Sequence, residues 1–314
     1  MGALAVLIGV IVINFILIRL APGDPALIMA GQAGAADEQY IEQLREQFGL
    51  NRPLPEQLVR YLIQVARLDL GFSPRQQRPV ADLIFERLPA TLLLTGTAFF
   101  IAVGLGVLLG TLAAGRVGTW VDSIITVLGL VMYATPLFWI GLIMIVLFSV
   151  HWELLPAFGM QTAGAGYTGF ARVLDVARHL VMPAFSLGCF YLAVYTRLTR
   201  ASVLEVQDQD YVTTARAKGL SEGRITFVHV LRNAILPVIS YAGFQAGHLV
   251  GGAVVTETVF GWPGVGRLTF DALLQRDYNL LLGVFLITAA MVVIFNVITD
   301  IVYTLVDPRI EVGG

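Results

Sequence analysis

One lysine, Lys218, one cysteine, Cys189, and four histidines occur in a chain of 314 residues. A single cysteine excludes an internal disulfide framework and any cysteine-cluster metal site. The histidines at 151, 179, 229 and 248 are dispersed without ligand spacing. His151-Trp152-Glu153 has the wrong spacing for a His-Glu-x-x-His zinc motif. A Gly-x-Ser-x-Gly nucleophile elbow is absent, and so is a Walker A loop, so the chain has no means of hydrolysing ATP alone. Charge is scarce as well: 13% of residues are charged, against roughly 25% in soluble domains. Length alone would suggest about two soluble domains, but two soluble surfaces could not be covered with so few charges. The net charge of −2 offers no general basic field, so no nucleic-acid partner is expected. A chain that is 57% hydrophobic, with mean hydropathy +0.77, is not a disordered one. What remains is a membrane protein with several spans.

A span takes about 20 mostly apolar residues. Six such runs occur: 3–20, 91–114, 124–150, about 180–195, about 235–256 and 280–305. The fourth is short and carries Pro183 near its start. All are read as helices, because a lipid-exposed segment must satisfy its own backbone hydrogen bonds; the alternation of a membrane β-barrel is absent. The first run has no basic n-region, and Arg-Leu-Ala-Pro-Gly-Asp-Pro (19–25) is no small-residue cleavage site, so a span is expected rather than a signal peptide. The run starts almost at Met1, which leaves room for a missing basic leader or a misassigned start codon. Arg116, Arg197, Arg200, Arg216, Lys218, Arg224, Arg232 and Arg309 fall on one side, against Arg172, Arg178, Arg267 and Arg276 on the other. The richer side is expected to be cytoplasmic, with both termini inside. The expected organisation is therefore span 1 (1–20), an extracytoplasmic cap loop (21–90), and a five-helix core (91–314) with a cytoplasmic loop at 197–234.

Within the cap, Asp37 is a candidate N-cap for a helix carrying Ile41, Leu44 and Phe48, closed by Gly49. Pro55 suits the first turn of a second helix with Leu58, Leu62 and Val65 on one face, and Asp-Leu-Gly-Phe-Ser (69–73) turns the chain. The segment 257–279 holds a turn rich in glycine, 260–266, then a short amphipathic helix, 267–276; Phe260 and Trp262 are candidate interface anchors. Gly-Leu-Gly-Val-Leu-Leu-Gly (104–110) lies inside an apolar run and reads as close helix packing rather than a nucleotide loop. The spans are almost free of ionisable groups, which disfavours an ion-coupled carrier; Arg19 and Asp300 lie near span ends, and Asn14, Gln245, His248 and Asn296 are polar.

The loop 197–234 holds most of the basic side. Asp210 is a candidate N-cap and Gly219 fits the position just past a helix end, with about two turns between them. Val212, Ala215 and Gly219 share one small, nearly flat face that another protein could approach closely. A second helix, about 221–233, is expected to present Ile225, Val228 and Leu231 on one side, with Pro237 breaking into the fifth span.

The ordered fragments carry a resemblance. They are Leu-Ala-Pro-Gly-Asp-Pro-Ala (20–26), Asp-Leu-Gly-Phe-Ser (69–73), Glu-Arg-Leu-Pro-Ala-Thr-Leu (86–92), Tyr-Val-Thr-Thr-Ala-Arg-Ala-Lys-Gly-Leu-Ser (211–221) and His-Val-Leu-Arg-Asn-Ala-Ile-Leu-Pro (229–237). Glu-Thr-Val-Phe-Gly-Trp-Pro-Gly-Val-Gly-Arg-Leu (257–268), Arg-Asp-Tyr (276–278) and Asp-Pro-Arg (307–309) complete the set. Over essentially its whole length the chain resembles the inner-membrane permease subunits of peptide/nickel-type ABC importers, the dipeptide/oligopeptide permease B type.

The resemblance implies an all-α type I importer permease fold with six spans, in a prokaryotic inner membrane. It implies no catalysis and no cofactor of its own; ATP and magnesium belong to two cytoplasmic ATP-binding partner subunits. It also implies a homologous second permease forming a heterodimeric pore, a binding protein outside, and peptides as cargo. Nickel chelates, glutathione or another small solute are the alternatives. In that family 211–237 resembles the coupling loop, whose Glu-Ala-Ala-x-x-x-Gly pattern here reads Thr213-Thr214-Ala215 and Gly219. The coupling residues so implied are Asp210, Tyr211, Thr214, Ala215, Arg216, Ala217, Lys218, Gly219 and Leu220. Bulky replacement of Gly219 or Ala215 is expected to uncouple ATP hydrolysis from uptake without unfolding the spans. Gln245, His248, Tyr133 and Trp139 are candidate substrate-path residues.

Overall fold

The computed structural model describes residues 2–20, 38–47 and 51–306. Helix α1 (Gly2–Leu20) is apolar nearly all round, as a membrane helix should be. The candidate cap Asp37 and the residues Phe48 and Gly49 lie outside the described residues, but the helix between them is present as α2 (Glu38–Gln47). Helix α3 (Leu54–Ala66) has Pro53 at its N-cap and Pro55 in its first turn, where a missing N–H costs nothing. Leu58, Leu62 and Val65 are its partly buried side, as the spacing predicts. Gly71 donates its N–H to the Asp69 carboxylate at 3.1 Å. The turn leads into a two-residue hairpin, β1 (Phe72–Ser73) against β2 (Arg78–Pro79), a small exception to an otherwise helical fold.

Helix α4 (Val80–Ala114) follows, then α5 (Trp120–Ala134), α6 (Leu137–Met144, continued by π-type turns through His151) and α7 (Gly169–Gln207). The loop after α7 holds α8 (Asp210–Ala217), α9 (Glu222–Arg224), a π-type stretch (Ile225–Val230) and α10 (Leu231–Ala234). Helices α11 (Leu236–Gly252), α12 (Val254–Val259), α13 (Val265–Gln275) and α14 (Tyr278–Val306) complete the chain.

Among the described residues three helices are long and apolar enough to cross a membrane: α4, α7 and α14. The number rises to five if each of two bent pairs is one span, and α1 adds a shorter apolar helix. Every apolar run therefore lies on helix, with two corrections. The third run is not one rod: α5 and α6 meet at 107°. Pro136 has no N–H to give, and its ring drives Thr135 out of the helical region, to φ −83°, ψ 131°. The fourth run is the middle of a helix of 39 residues, with Pro183 inside it; a helix packed in protein tolerates such a proline.

The chain divides into two compact units, one of residues 1–89 and 268–293, the other of 90–267 and 294–314. In the first, Val80, Ile84 and Leu280 are fully or almost fully buried. The buried Asn14 amide donates to the Leu282 carbonyl at 2.9 Å and to the Tyr61 hydroxyl at 3.3 Å, polar glue inside an apolar helix contact. Ser73 donates its hydroxyl to Asp277, whose other oxygen accepts the Leu280 N–H at 3.2 Å.

The second unit is built on α7. Its core joins Leu94, Ala98, Leu187 and Trp262 in one cluster, and Ala102, Leu192, Tyr195 and Val238 in another. The Gly-rich run of α4 sits where α7 crosses: a Cβ at Gly110 would lie 2.6 Å from the Thr196 carbonyl oxygen and 2.6 Å from Thr199 Cβ. Only glycine allows that approach, as the sequence reading expected.

Candidate functional site

The loop after α7 is anchored from inside. The Gln209 carbonyl accepts the N–H groups of Val212 and Thr213 at 3.0 and 3.3 Å, so Gln209 is the cap and Asp210 the first helical residue. There its carboxylate suits the positive end of the helix. The other end is a Schellman motif: Gly219 N–H reaches the Arg216 carbonyl at 2.9 Å and Leu220 N–H the Ala215 carbonyl at 3.4 Å. Gly219 stands at φ +77°, a conformation open to glycine and strained for other residues.

The structure corrects which face of α8 is free. Val212 is fully buried and Ala215 nearly so. They pack with Ala114 of α4, Val203 of α7, and Ile225, Val230 and Ala234. Burying Val212 contributes about 1.5–3 kcal/mol. The small face therefore holds the loop to its own spans and is not open to a partner. The exposed residues are Asp210, Tyr211, Thr213, Thr214, Arg216, Ala217, Lys218 and Gly219, with Leu220 half-buried. A Cβ at Gly219 would meet nothing within 4 Å.

The second helix of the loop also differs from expectation. Ile225, Val230 and Ala234 face inward, while Val228 is 51% exposed and Leu231 only partly buried. The π-type turns add a residue to the repeat, which displaces the periodicity by one position. Asn233 donates its amide to the Tyr211 hydroxyl at 2.8 Å and to the His229 carbonyl at 3.1 Å. Arg216 pairs with Glu222 at 3.0 Å. On the span side, Arg200 donates to both Asp122 oxygens at 2.7 and 2.9 Å. Sequence reasoning missed these three ties. The last spans 78 residues and has no local signal; the second helix's displaced face had none either.

The Gly-rich turn is buried, and this overturns a second expectation. Phe260 and Trp262 are 1% and 0% exposed, so neither is an interface anchor. Trp262 donates its indole N–H to the Ala90 carbonyl at 2.8 Å. Glu257, also 0% exposed, accepts from the Thr91 hydroxyl at 2.7 Å and the Arg267 N–H at 2.9 Å. Thr91 in turn accepts the Val265 N–H at 2.8 Å. The carboxylate thus fixes the turn and the start of α13 to α4.

Of the substrate-path candidates, Tyr133 and Trp139 flank the Thr135–Pro136 break and are about half exposed. Tyr133 stacks on Phe190 with ring centroids 5.0 Å apart. Gln245 is half-buried on α11, and no described contact joins it to that pair. The side chain of His248 lies outside the described residues.

Solved structures share this architecture. It covers 72% of this chain and 96% of a chain in the inward-facing MetNI methionine ABC transporter (TM-score 0.57, 16% identity). It covers 73% of this chain and 94% of a chain in an amino acid ABC transporter crystallised with histidines (TM-score 0.51, 16% identity). The fold is thus that of an ABC importer permease, a multi-helix membrane protein. Within that class the chain belongs to the binding-protein-dependent transport system inner membrane component family, whose model matches residues 106–312, with its N-terminal companion model matching 1–95. It is 40% identical to the dipeptide transport system permease protein DppB of Escherichia coli K12, over 97% of this chain and 94% of that one. It is also 40% identical to the oligopeptide transport system permease protein AppB of Bacillus subtilis 168, over 98% and 96%. The di/tripeptide permease DppB of Pseudomonas aeruginosa UCBPP-PA14 is likewise 40% identical, over 96% and 94%.

Proposed function

We propose that this chain is a non-catalytic permease subunit of an ATP-driven importer. It forms a translocation path for di- and oligopeptides with a homologous second permease. Peptides arrive from an extracytoplasmic binding protein, and two cytoplasmic ATPases supply the energy with their own ATP and magnesium. Six spans cross the prokaryotic inner membrane with both termini inside, consistent with the basic loop 197–234. Cargo is assigned from the full-length relatives, all peptide permeases at 40% identity.

The observation that carries the mechanism is the two-faced α8. Its inner face, Val212 and Ala215, is buried against α4 and α7, and its outer face is polar and exposed. An ATPase gripping the outer residues Asp210, Tyr211, Thr214, Arg216, Ala217, Lys218, Gly219 and Leu220 would move α8 as a rigid piece. The buried contacts would then pass that movement to the spans, Ala215 serving as an inner anchor.

The test is uptake of labelled dialanine by cells carrying the complete transporter in a background without peptide uptake. Accumulation that stops when the ATPase P-loop lysine is replaced is the expected result. Uptake by this chain alone, driven by an ion gradient, would overturn the proposal.

A further inference from the structure

The break between α5 and α6 opens a cleft of about 380 Å³ lined by Tyr133, Thr135, Pro136, Leu187, Phe190 and Tyr191, among others. That volume is at the small end of ligand sites. Helix α5 runs 15 residues from Trp120, about 22 Å at helical rise, less than the ~30 Å hydrocarbon layer, so a span that enters the layer at Trp120 breaks inside it. Across it the backbone bonds are Thr135 N–H to the Val131 carbonyl, and Trp139 and Ile140 N–H to the Pro136 carbonyl. At the 107° turn the carbonyls of Met132, Tyr133 and Ala134 and the N–H groups of Leu137 and Phe138 leave helical register. Lipid cannot satisfy such groups, so irregular backbone at this depth must face protein or a water-lined cavity. Ala134 and Pro136 are exposed, and the cleft is open.

We propose that this cleft is a contact site for the main chain of the transported peptide, an inference that rests on the peptide reading above. Residues 133–137 line the cleft, and the backbone groups there that are outside helical hydrogen bonding can pair with the main-chain donors and acceptors of a peptide, whatever its side chains. The stacked Tyr133–Phe190 pair, with Tyr191 edge-on to Phe190 at 5.3 Å, supplies an adaptable apolar wall. Such a site holds many peptides weakly and none tightly, which suits passage. In other transporter folds the backbone ends of broken helices contact charged substrate groups and coupling ions.

The single cysteine makes the test direct. In a Cys189→Ala background, Ala134→Cys or Thr135→Cys is placed in the whole transporter in proteoliposomes. A cationic, water-confined methanethiosulfonate is applied in the vanadate-arrested state, with the binding protein empty or loaded with dialanine. The expected result is labelling by the water-confined reagent, slowed at least fivefold by dialanine. A thiol that reacts only with lipid-soluble N-ethylmaleimide, or at equal rates with and without dialanine, overturns the site. Phe190→Ala is expected to raise KM for dialanine about tenfold with ATP hydrolysis retained; an unchanged KM counts against the site. Uptake by the unsubstituted complex is measured in the same vesicles. Its failure would sink the peptide reading itself, whereas normal uptake with an unprotected thiol sinks this site alone.

Discussion

The loop 208–235 that carries α8 and the Gly-rich turn 257–267 are both short connections between apolar helices, and they handle polarity in opposite ways. In the turn the polar groups face inward: Glu257, Thr91 and the Trp262 indole satisfy one another or backbone groups, with Glu257 and Trp262 wholly buried. In the loop the apolar groups face inward and the polar ones outward, so Val212 and Ala215 are buried while Thr214, Arg216 and Lys218 are exposed. The turn is finished within its own unit. The loop is finished only on one side. That contrast separates a structural staple from an exposed polar face, the one proposed above as the ATPase contact.

The contrast can be broken by substitution. Glu257→Ala should have the largest effect, because it strands buried donors on Thr91 and the Arg267 backbone, each at about 1–3 kcal/mol. Loss of folded protein in fluorescence-detected size exclusion is expected. Val212→Asp should come next: it places a charge in the cluster under α8, and yield should fall together with uptake. Gly219→Trp should behave differently. Its φ of +77° is a strain of roughly 1–3 kcal/mol for a side chain, but the space around it is open. The folded chain should persist while ATP hydrolysis loses its link to uptake; intact uptake at normal expression would contradict the docking role. Ala215→Trp should not match it. Ala215 is buried, so this change should lower the yield of folded chain, whereas the sequence alone had paired the two positions. Arg216→Ala should change stability least, about 0–1 kcal/mol, since its pair with Glu222 is exposed.

The comparison also marks what a sequence can carry. Apolar run length placed a helix under every expected span, and the spacing from Asp210 to Gly219 placed α8 and its glycine stop. These are local signals. The direction of the small face of α8 was not local: it depends on Ala114, Val203 and Ala234, which the chain brings together from distant positions. The broken third run was legible in Thr135-Pro136 but was masked by the apolar residues around it. The burial of Trp262 depends on an acceptor 172 residues away, the Ala90 carbonyl, and composition near a membrane surface gave the opposite expectation.

The central claim, that α8 offers its polar face to the ATPase and keeps its small face for the spans, is tested most directly by cysteine cross-linking. With Cys189 replaced by alanine, Thr214→Cys and Val212→Cys are each expressed with the ATPase carrying cysteines along its permease-facing groove. Cross-linking through Thr214→Cys and none through Val212→Cys is the predicted result. Cross-linking through Val212→Cys alone, in a chain that still supports uptake, would contradict it.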